Sequence, residues 1–158
     1  MLGAEKVIWA PGVKGADLTD YHIDSLARFV APVKVLFQLP EQIDSRNPWS
    51  VAAFETYDIL KLSRDARGKP LHLVTTPSPL DTSIESADLV ASYVNFYVCN
   101  GAVIAAEFGN PDADTIARQT LSELYPGRAI IIMNVDPIGE VGGGIHCATQ
   151  QQPVARNA

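Results

Sequence analysis

The chain has 158 residues, with 12 Lys and Arg against 18 Asp and Glu, a formal net charge of −6, and nearly half of its residues are hydrophobic. The acidic balance leaves no basic stripe to neutralise phosphates, which argues against a nucleic-acid binder and suits a cationic small molecule. Two cysteines exclude a disulfide scaffold. No apolar run approaches the ~20 residues of a membrane span, and the start MLGAEKVIWAPG lacks the apolar core of a secretory leader, so a soluble, cytoplasmic chain is expected.

In chain order, two β-rich runs come first, Ile23 to Val30 and Val33 to Leu39, parted by Ala31-Pro32. A helix is predicted next. Asn47 suits the N-cap, Pro48 the first helical position, and Val51, Phe54, Ile59 and Leu62 recur as one apolar stripe to about Asp65. Gly68 ends it, and Leu71 to Thr75 reads as a strand. Thr76 to Ala91, rich in Pro, Ser, Thr and Asp, reads as a surface loop.

The same order then recurs. Tyr93 to Cys99 and Ala102 to Glu107 form a hairpin across Asn100-Gly101, a strong short-range turn signal. Asn110 caps a second helix that starts at Pro111, carries Asp112 and Asp114 in its first turn, and buries Ile116, Ala117, Thr120, Leu121 and Leu124. Gly127 stops it, and Ala129 to Met133 reads as a buried strand. The two helix starts lie 63 residues apart and the two stop glycines 59. An α+β fold of two ββαβ units is therefore expected. Such a unit cannot bury its own sheet face, and two are fewer than the ~3 that repeats usually need. Beyond Asp136-Pro137 the chain turns irregular around Gly139 and Gly142-Gly143-Gly144, and it ends in a polar tail.

Few residues could carry chemistry. If His22 opens a strand, His22 and Asp24 project from the same sheet face, where a carboxylate can orient a cation or support the imidazole. The same spacing also fits two polar residues at a surface strand end. Cys147 follows three glycines, which permit unusual torsions and close approach of a ligand. It can be a reachable nucleophile or a small buried hydrophobe. Cys99, inside an apolar run, reads as core, and His72 as an edge or satisfied polar position. The glycine run lacks the Lys-Ser/Thr of a phosphate loop. A metal set of His22, Asp24, His146 and Cys147 is chemically conceivable. However, adjacent His146 and Cys147 diverge if extended, and no paired-ligand spacing supports a metal.

Three segments carry a family resemblance. They are Thr19-Asp20-Tyr21-His22-Ile23-Asp24-Ser25-Leu26-Ala27-Arg28-Phe29-Val30, Ala91-Ser92-Tyr93-Val94-Asn95-Phe96-Tyr97 with Asn100-Gly101, and Gly142-Gly143-Gly144-Ile145-His146-Cys147-Ala148-Thr149-Gln150-Gln151-Gln152-Pro153. In that order they resemble agmatine deiminases, which group with bacterial-type peptidylarginine deiminases in the guanidino-group-modifying superfamily. The resemblance implies a pentein, five ββαβ units around a pseudo-fivefold axis. Residues 1–153 would be its C-terminal half and 154–158 a frayed tail. It implies that Cys147 is the nucleophile, His22 the general acid/base and Asp24 a carboxylate that receives the guanidinium. Asn95, Gly143 and Gly144 would join Asp24 in binding substrate. Agmatine would be hydrolysed to N-carbamoylputrescine and ammonia through a covalent thiouronium on Cys147, with no metal or organic cofactor. Peptidylarginine deiminase-type activity on arginine side chains, a catalytically idle guanidine binder, and a non-catalytic remnant that self-associates through pentein edges are the alternatives. Two features depart from the family pattern. Tyr21 stands where many relatives carry a small residue, and a Trp-x-Arg-Asp-like segment with a second guanidinium-binding aspartate has no counterpart here.

Overall fold

The computed structural model of the chain describes residues 4–16, 19–79 and 89–154. The loop expected from Thr76 to Ala91 lies at 80–88 outside those residues, as does the expected tail beyond Val154. The elements are α1 (Ile23–Leu26), β1 (Ala27–Ala31), β2 (Lys34–Gln38), α2 (Pro48–Leu62), β3 (His72–Thr76), β4 (Tyr97–Cys99), β5 (Ala102–Glu107), α3 (Pro111–Leu124), β6 (Ala129–Asn134) and α4 (Asp136–Gly139).

Two ββαβ units are present. In each, a three-stranded sheet has the second strand at its centre, with β1-β2-β3 in one and β4-β5-β6 in the other. The first two strands of each unit pair antiparallel, and the third returns parallel after the helix. The helix starts follow local chemistry. Asn47 Oδ1 accepts from Trp49 N at 3.0 Å and Ser50 N at 3.4 Å. Asn110 Oδ1 accepts from Ala113 N at 3.1 Å. Each satisfies orphan first-turn donors. The Asn100-Gly101 hairpin forms as expected, with Gly101 at φ +76°, a torsion available to glycine at little cost.

Several sequence expectations are corrected. The first strand begins at Ala27, because Ile23–Leu26 is a helical turn in which Ser25 N and Oγ both donate to the His22 carbonyl. Helix α2 ends at Leu62 rather than near Asp65. Asp65 Oδ1 accepts from Arg67 N and Lys69 N and folds the chain into a turn that competes with further helix. The buried face of α2 is Ser50, Ala52, Ala53, Thr56 and Leu60, whereas Ile59 and Leu62 are exposed. In α3, Ala113, Ala117 and Leu121 are buried and Ile116 is half exposed. In both helices small residues face the sheet, which lets the backbones approach. Strand β6, expected to be buried, is an edge strand with Ile131 and Met133 exposed.

Residues Tyr93–Phe96, read as strand, lie buried ahead of β4 without a ladder. Side chains of the first unit supply many of the segment's partners. Gln38 Nε2 donates to the Ala91 carbonyl and its Oε1 accepts from Tyr93 N. Ser92 Oγ donates to the Ser25 carbonyl. The Arg28 guanidinium donates to the Val94 and Phe96 carbonyls and lies 4.3 Å from the Phe96 ring centroid. A hydrophobic cluster of Leu36 with Val94, Phe96, Val103, Ala105 and Leu121 joins the two units. Among the described residues, no helix is long and apolar enough to cross a membrane.

The caps give a direct test of this reading. Asn47→Ala and Asn110→Ala should each lower unfolding stability by about 1 kcal/mol in urea titrations at unchanged denaturant slope. A loss under 0.2 kcal/mol (a rough detection limit) at both would show that the caps do not set the helix starts.

Candidate active site

Three stretches converge at one end of the interface between the units. The first is the turn into α1. Asp20 and Tyr21 have positive φ, 59° and 112°, and His22 follows as the N-cap of α1. Those torsions are sparsely used by non-glycine residues and cost of order 1–3 kcal/mol each. Packing opposes that cost, since the Tyr21 ring meets the Trp49 ring edge-on at 4.8 Å. Burial also pushes the Tyr21 phenol up to about 12, so it stays protonated at neutral pH. Because α1 is helical, His22 and Asp24 are not brought together by strand alternation. The helical turn instead sets Asp24 into the space between the units.

The second stretch is Tyr93–Phe96, where Asn95 is 3% exposed. The third is the glycine run and the turn after it. Ala148 N donates to the Gly144 carbonyl and Thr149 Oγ1 to the Ile145 carbonyl, closing a tight turn over 144–149. Ile145 anchors it in the cluster of Tyr93, Phe108 and Val135. Since this segment is a turn, the adjacent His146 and Cys147 do not diverge, and both reach the same carboxylate.

Asp24 Oδ2 is the meeting point. It accepts from Asn95 Nδ2 at 3.0 Å, lies 2.6 Å from His146 Nδ1, and is 3.5 Å from the Cys147 thiol, which donates to it. Asn95 Nδ2 also lies 3.6 Å from Cys147 Sγ, and Asn95 Oδ1 accepts from His146 N at 2.9 Å. Among the described residues no hydrogen bond falls on Oδ1, the oxygen left to accept from a ligand. Ligand atoms of His22, Asp24 and Cys147 all lie within 4.8 Å of one another. Burial pushes the Asp24 carboxyl up, but hydrogen bonds from His146 and Cys147 and the two nearby imidazoles outweigh it. The carboxyl is held below its ordinary range and is charged at neutral pH.

His22, Asp24, Asn95 and Cys147 are thus brought together, and Cys147 is exposed to solvent. Cys99 is half-buried in β4 rather than fully core, and His72 is exposed on the edge strand β3. Gly144 has an internal reason to be glycine: a Cβ there would stand 2.7 Å from Asn95 Cγ and closer still to Oδ1. Gly143 has ordinary room, its nearest non-adjacent atom being 3.7 Å from such a Cβ. Sequence reasoning grouped His146 with Asp24 only in a metal set that it set aside, because adjacent extended residues diverge, and did not expect the hydrogen-bonded contact. Its signal was its place beside Cys147 in a glycine-bounded turn. A cleft of about 430 Å³ lies beside the cluster, walled by Tyr21, His22, Gln38, Asp44, Trp49 and Leu89. It adjoins His22 and not Cys147, so it flanks the thiol rather than covering it.

Comparison with known proteins gives similarity in sequence and in fold. The model of the Porphyromonas-type peptidyl-arginine deiminase family matches residues 1–153. An agmatine deiminase of Medicago truncatula is 37% identical over 172 aligned residues, covering 96% of this chain and 46% of that protein. The solved structure of the Enterococcus faecalis agmatine deiminase aligns with a TM-score of 0.74 at 28% identity, over 85% of this chain and 41% of that one. A substrate-bound cysteine-to-serine variant of the C. jejuni agmatine deiminase aligns with a TM-score of 0.75 at 27% identity, over 92% and 41%. The chain spans less than half the length of these relatives.

Two measurements test the site's geometry. Gly144→Ala should displace the Asn95 amide and cost about 1–3 kcal/mol, while Gly143→Ala should melt close to the parent. Equal melting of the two variants would remove Asn95 from its role. A carboxyl held low in the folded state adds stability that is present above its unfolded pKa and lost as pH falls through its folded one. Asp24→Asn should therefore be less stable than the parent at neutral pH, with the gap closing in acid below the ordinary carboxylate range. A gap independent of pH would contradict this.

Proposed function

We propose that this chain, which belongs to the Porphyromonas-type peptidyl-arginine deiminase family, carries the nucleophile, acid/base and carboxylate of an agmatine deiminase-type hydrolase. The observation that carries the reading is the convergence of the Cys147, His22 and Asp24 ligand atoms within 4.8 Å. The relatives are agmatine deiminases, and that activity supplies the substrate class. The net charge of −6 favours a cationic substrate.

In this reading Asp24 accepts N–H bonds from the planar guanidinium through Oδ1, and the charged pair fixes its orientation. The Cys147 thiolate attacks the guanidinium carbon and forms the C–S bond. His22 delivers a proton to one amino group, the C–N bond breaks, and ammonia leaves an amidino thioether on Cys147. Water then adds to the same carbon with one proton going to His22, the C–S bond breaks as the thiolate returns, and the remaining hydroxyl proton passes to the released ammonia as the ureido product, N-carbamoylputrescine, departs. Neither a metal nor an organic cofactor enters this cycle. Asn95 and His146 position Asp24, and Gly143 and Gly144 leave the turn before Cys147 free of side chains. The two ββαβ units are read as two of the five of a pentein, with residues 1–153 its C-terminal half and the chain cytoplasmic.

Incubation with agmatine should yield ureido product and ammonia, and a Cys147 adduct one ammonia lighter than agmatine plus chain should be trapped by acid quench and mass spectrometry. Cys147→Ala should reduce both to background. Product formation unchanged in that variant would overturn the assignment.

A further inference from the structure

We propose that His22, Asp24 and Cys147 also form a binding site for a borderline-soft divalent metal ion of the Zn²⁺ class, which occupies the place of the guanidine and inhibits. The competitive part rests on the function proposed above; the metal site itself does not. Three features of the cluster support it, and each stands apart from the chemistry of deimination.

The first is the donor set. One thiolate, one imidazole and one carboxylate are the ligand types that select Zn²⁺, Co²⁺ and their neighbours over Ca²⁺ or Mg²⁺, which prefer all-oxygen shells. The second is spacing. Tetrahedral coordination at about 2.0–2.3 Å per bond puts donors roughly 3.3–3.8 Å apart. A ligand atom from each of His22, Asp24 and Cys147 lies within 4.8 Å of the other two, and on Asp24 the oxygen open to a metal is Oδ1, since Oδ2 is already held by Asn95, His146 and Cys147. Closing the remainder needs shifts of roughly an ångström, within reach of side-chain rotation at His22 and of an exposed thiol on a glycine-bounded turn. The third is the surrounding shell. His146 Nδ1 at 2.6 Å and Asn95 Nδ2 at 3.0 Å hold the Asp24 carboxylate from outside the cluster. Such outer partners orient ligands and raise metal affinity. The fourth coordination position falls on the solvent side, where Cys147 is exposed, and water fills it as in open three-ligand sites.

Binding releases one proton. The Cys147 S–H bond breaks, the sulfur forms its bond to the metal, and the proton passes to buffer; no oxidation state changes. A metal-bound thiolate cannot attack carbon, and a metal-bound His22 cannot carry a proton. Inhibition would therefore be complete at saturation and competitive with any guanidine that needs the same carboxylate.

The test uses tag-free chain, metal-free and reduced with a phosphine. Titration with Co²⁺ should produce thiolate-to-cobalt charge-transfer absorption that saturates at one equivalent and is bleached by Zn²⁺, the tighter ion. Cys147→Ser should abolish the band. His22→Asn and Asp24→Asn should each weaken binding at least about tenfold (~1.4 kcal/mol), while His72→Asn, on an exposed edge strand, should not change it. Circular dichroism checks that each variant is folded. For any that is not, Zn²⁺ protection of the parent against iodoacetamide, mapped by peptide mass, should slow alkylation at Cys147 and not at Cys99. Absence of the band, a band that survives Cys147→Ser, or equal protection of both cysteines overturns the site. Agmatine should shift the Co²⁺ titration to higher metal. Metal binding without that shift would keep the site and overturn its competition with the guanidine, whereas failure of agmatine turnover with the band present would count against the deiminase reading alone.

Discussion

The Asn95 carboxamide is the constraint on which the rest of the site depends. It is 3% exposed, and a buried amide without partners costs a few kcal/mol, so its position is set by what it can bond. Its Nδ2 reaches the Asp24 carboxylate, and its Oδ1 holds the His146 backbone N–H. One side chain thus ties α1 of the first unit to the glycine-bounded turn, from a segment that leads into the second unit. Gly144 is the counterpart of this arrangement, because any side chain there would occupy the amide's volume. The bonds from Gln38, Ser92 and Arg28 extend the same stitching along residues 91–96. The joint between the units and the candidate site are therefore one structure, and neither can loosen alone.

Much of the fold was legible because it rests on local chemistry. Asn-Pro helix starts and the Asn-Gly hairpin act over a few residues, so they can be read without knowing what packs against them. What depended on partners could not be read. Ile23–Leu26 carries strand-like residues, yet it forms a helical turn fixed through Ser25, His22 and Ser92. Tyr93–Phe96 looks like strand because its residues are apolar and buried, but the side chains that bond Tyr93 N and the Val94 and Phe96 carbonyls lie 55 to 68 residues earlier in the chain. The helix stripes misled for a related reason. Large apolar residues such as Ile59, Leu62 and Ile116 mark an apolar face, whereas the sheet takes up the small residues that allow close approach. His22 and Asp24 were paired through the wrong geometry, whereas Cys147 is exposed, as its glycine run allowed. The strand alternation that first suggested pairing His22 with Asp24 is absent, and His146 enters only because residues 144–149 form a turn.

Tyr21 shows how the same site stores strain. Two consecutive residues with positive φ turn the chain immediately before His22 and so set where its side chain starts. A glycine would relieve the torsion at Tyr21 but give up the contact with Trp49. The Tyr21 ring instead forms part of the wall of the cleft beside His22, so a group that binds there meets the aromatic ring and Asp44. The cleft and the cluster share His22, and what fills one constrains the other.

In the proposed reading, a site that holds a guanidinium against a thiol faces a problem of selectivity that its own donors create. The carboxylate must be charged to accept the guanidinium N–H groups, and the hydrogen bonds from His146 and Cys147 keep Asp24 charged against the opposing effect of burial. The thiol must lose its proton to attack, and the imidazole must offer a lone pair to take one. Those three requirements describe a metal-binding site as well as they describe a deiminase. Discrimination has to come from shape and occupancy. A planar cation approaches one carboxylate oxygen edge-on and leaves sulfur and imidazole free to act, whereas a metal draws all three donors to a single point. Because Cys147 is exposed and its turn is bounded by glycines, little in the local packing opposes the second arrangement. In these proposals the exposure of Cys147 that would admit a guanidine is the same feature that would admit a competing ion.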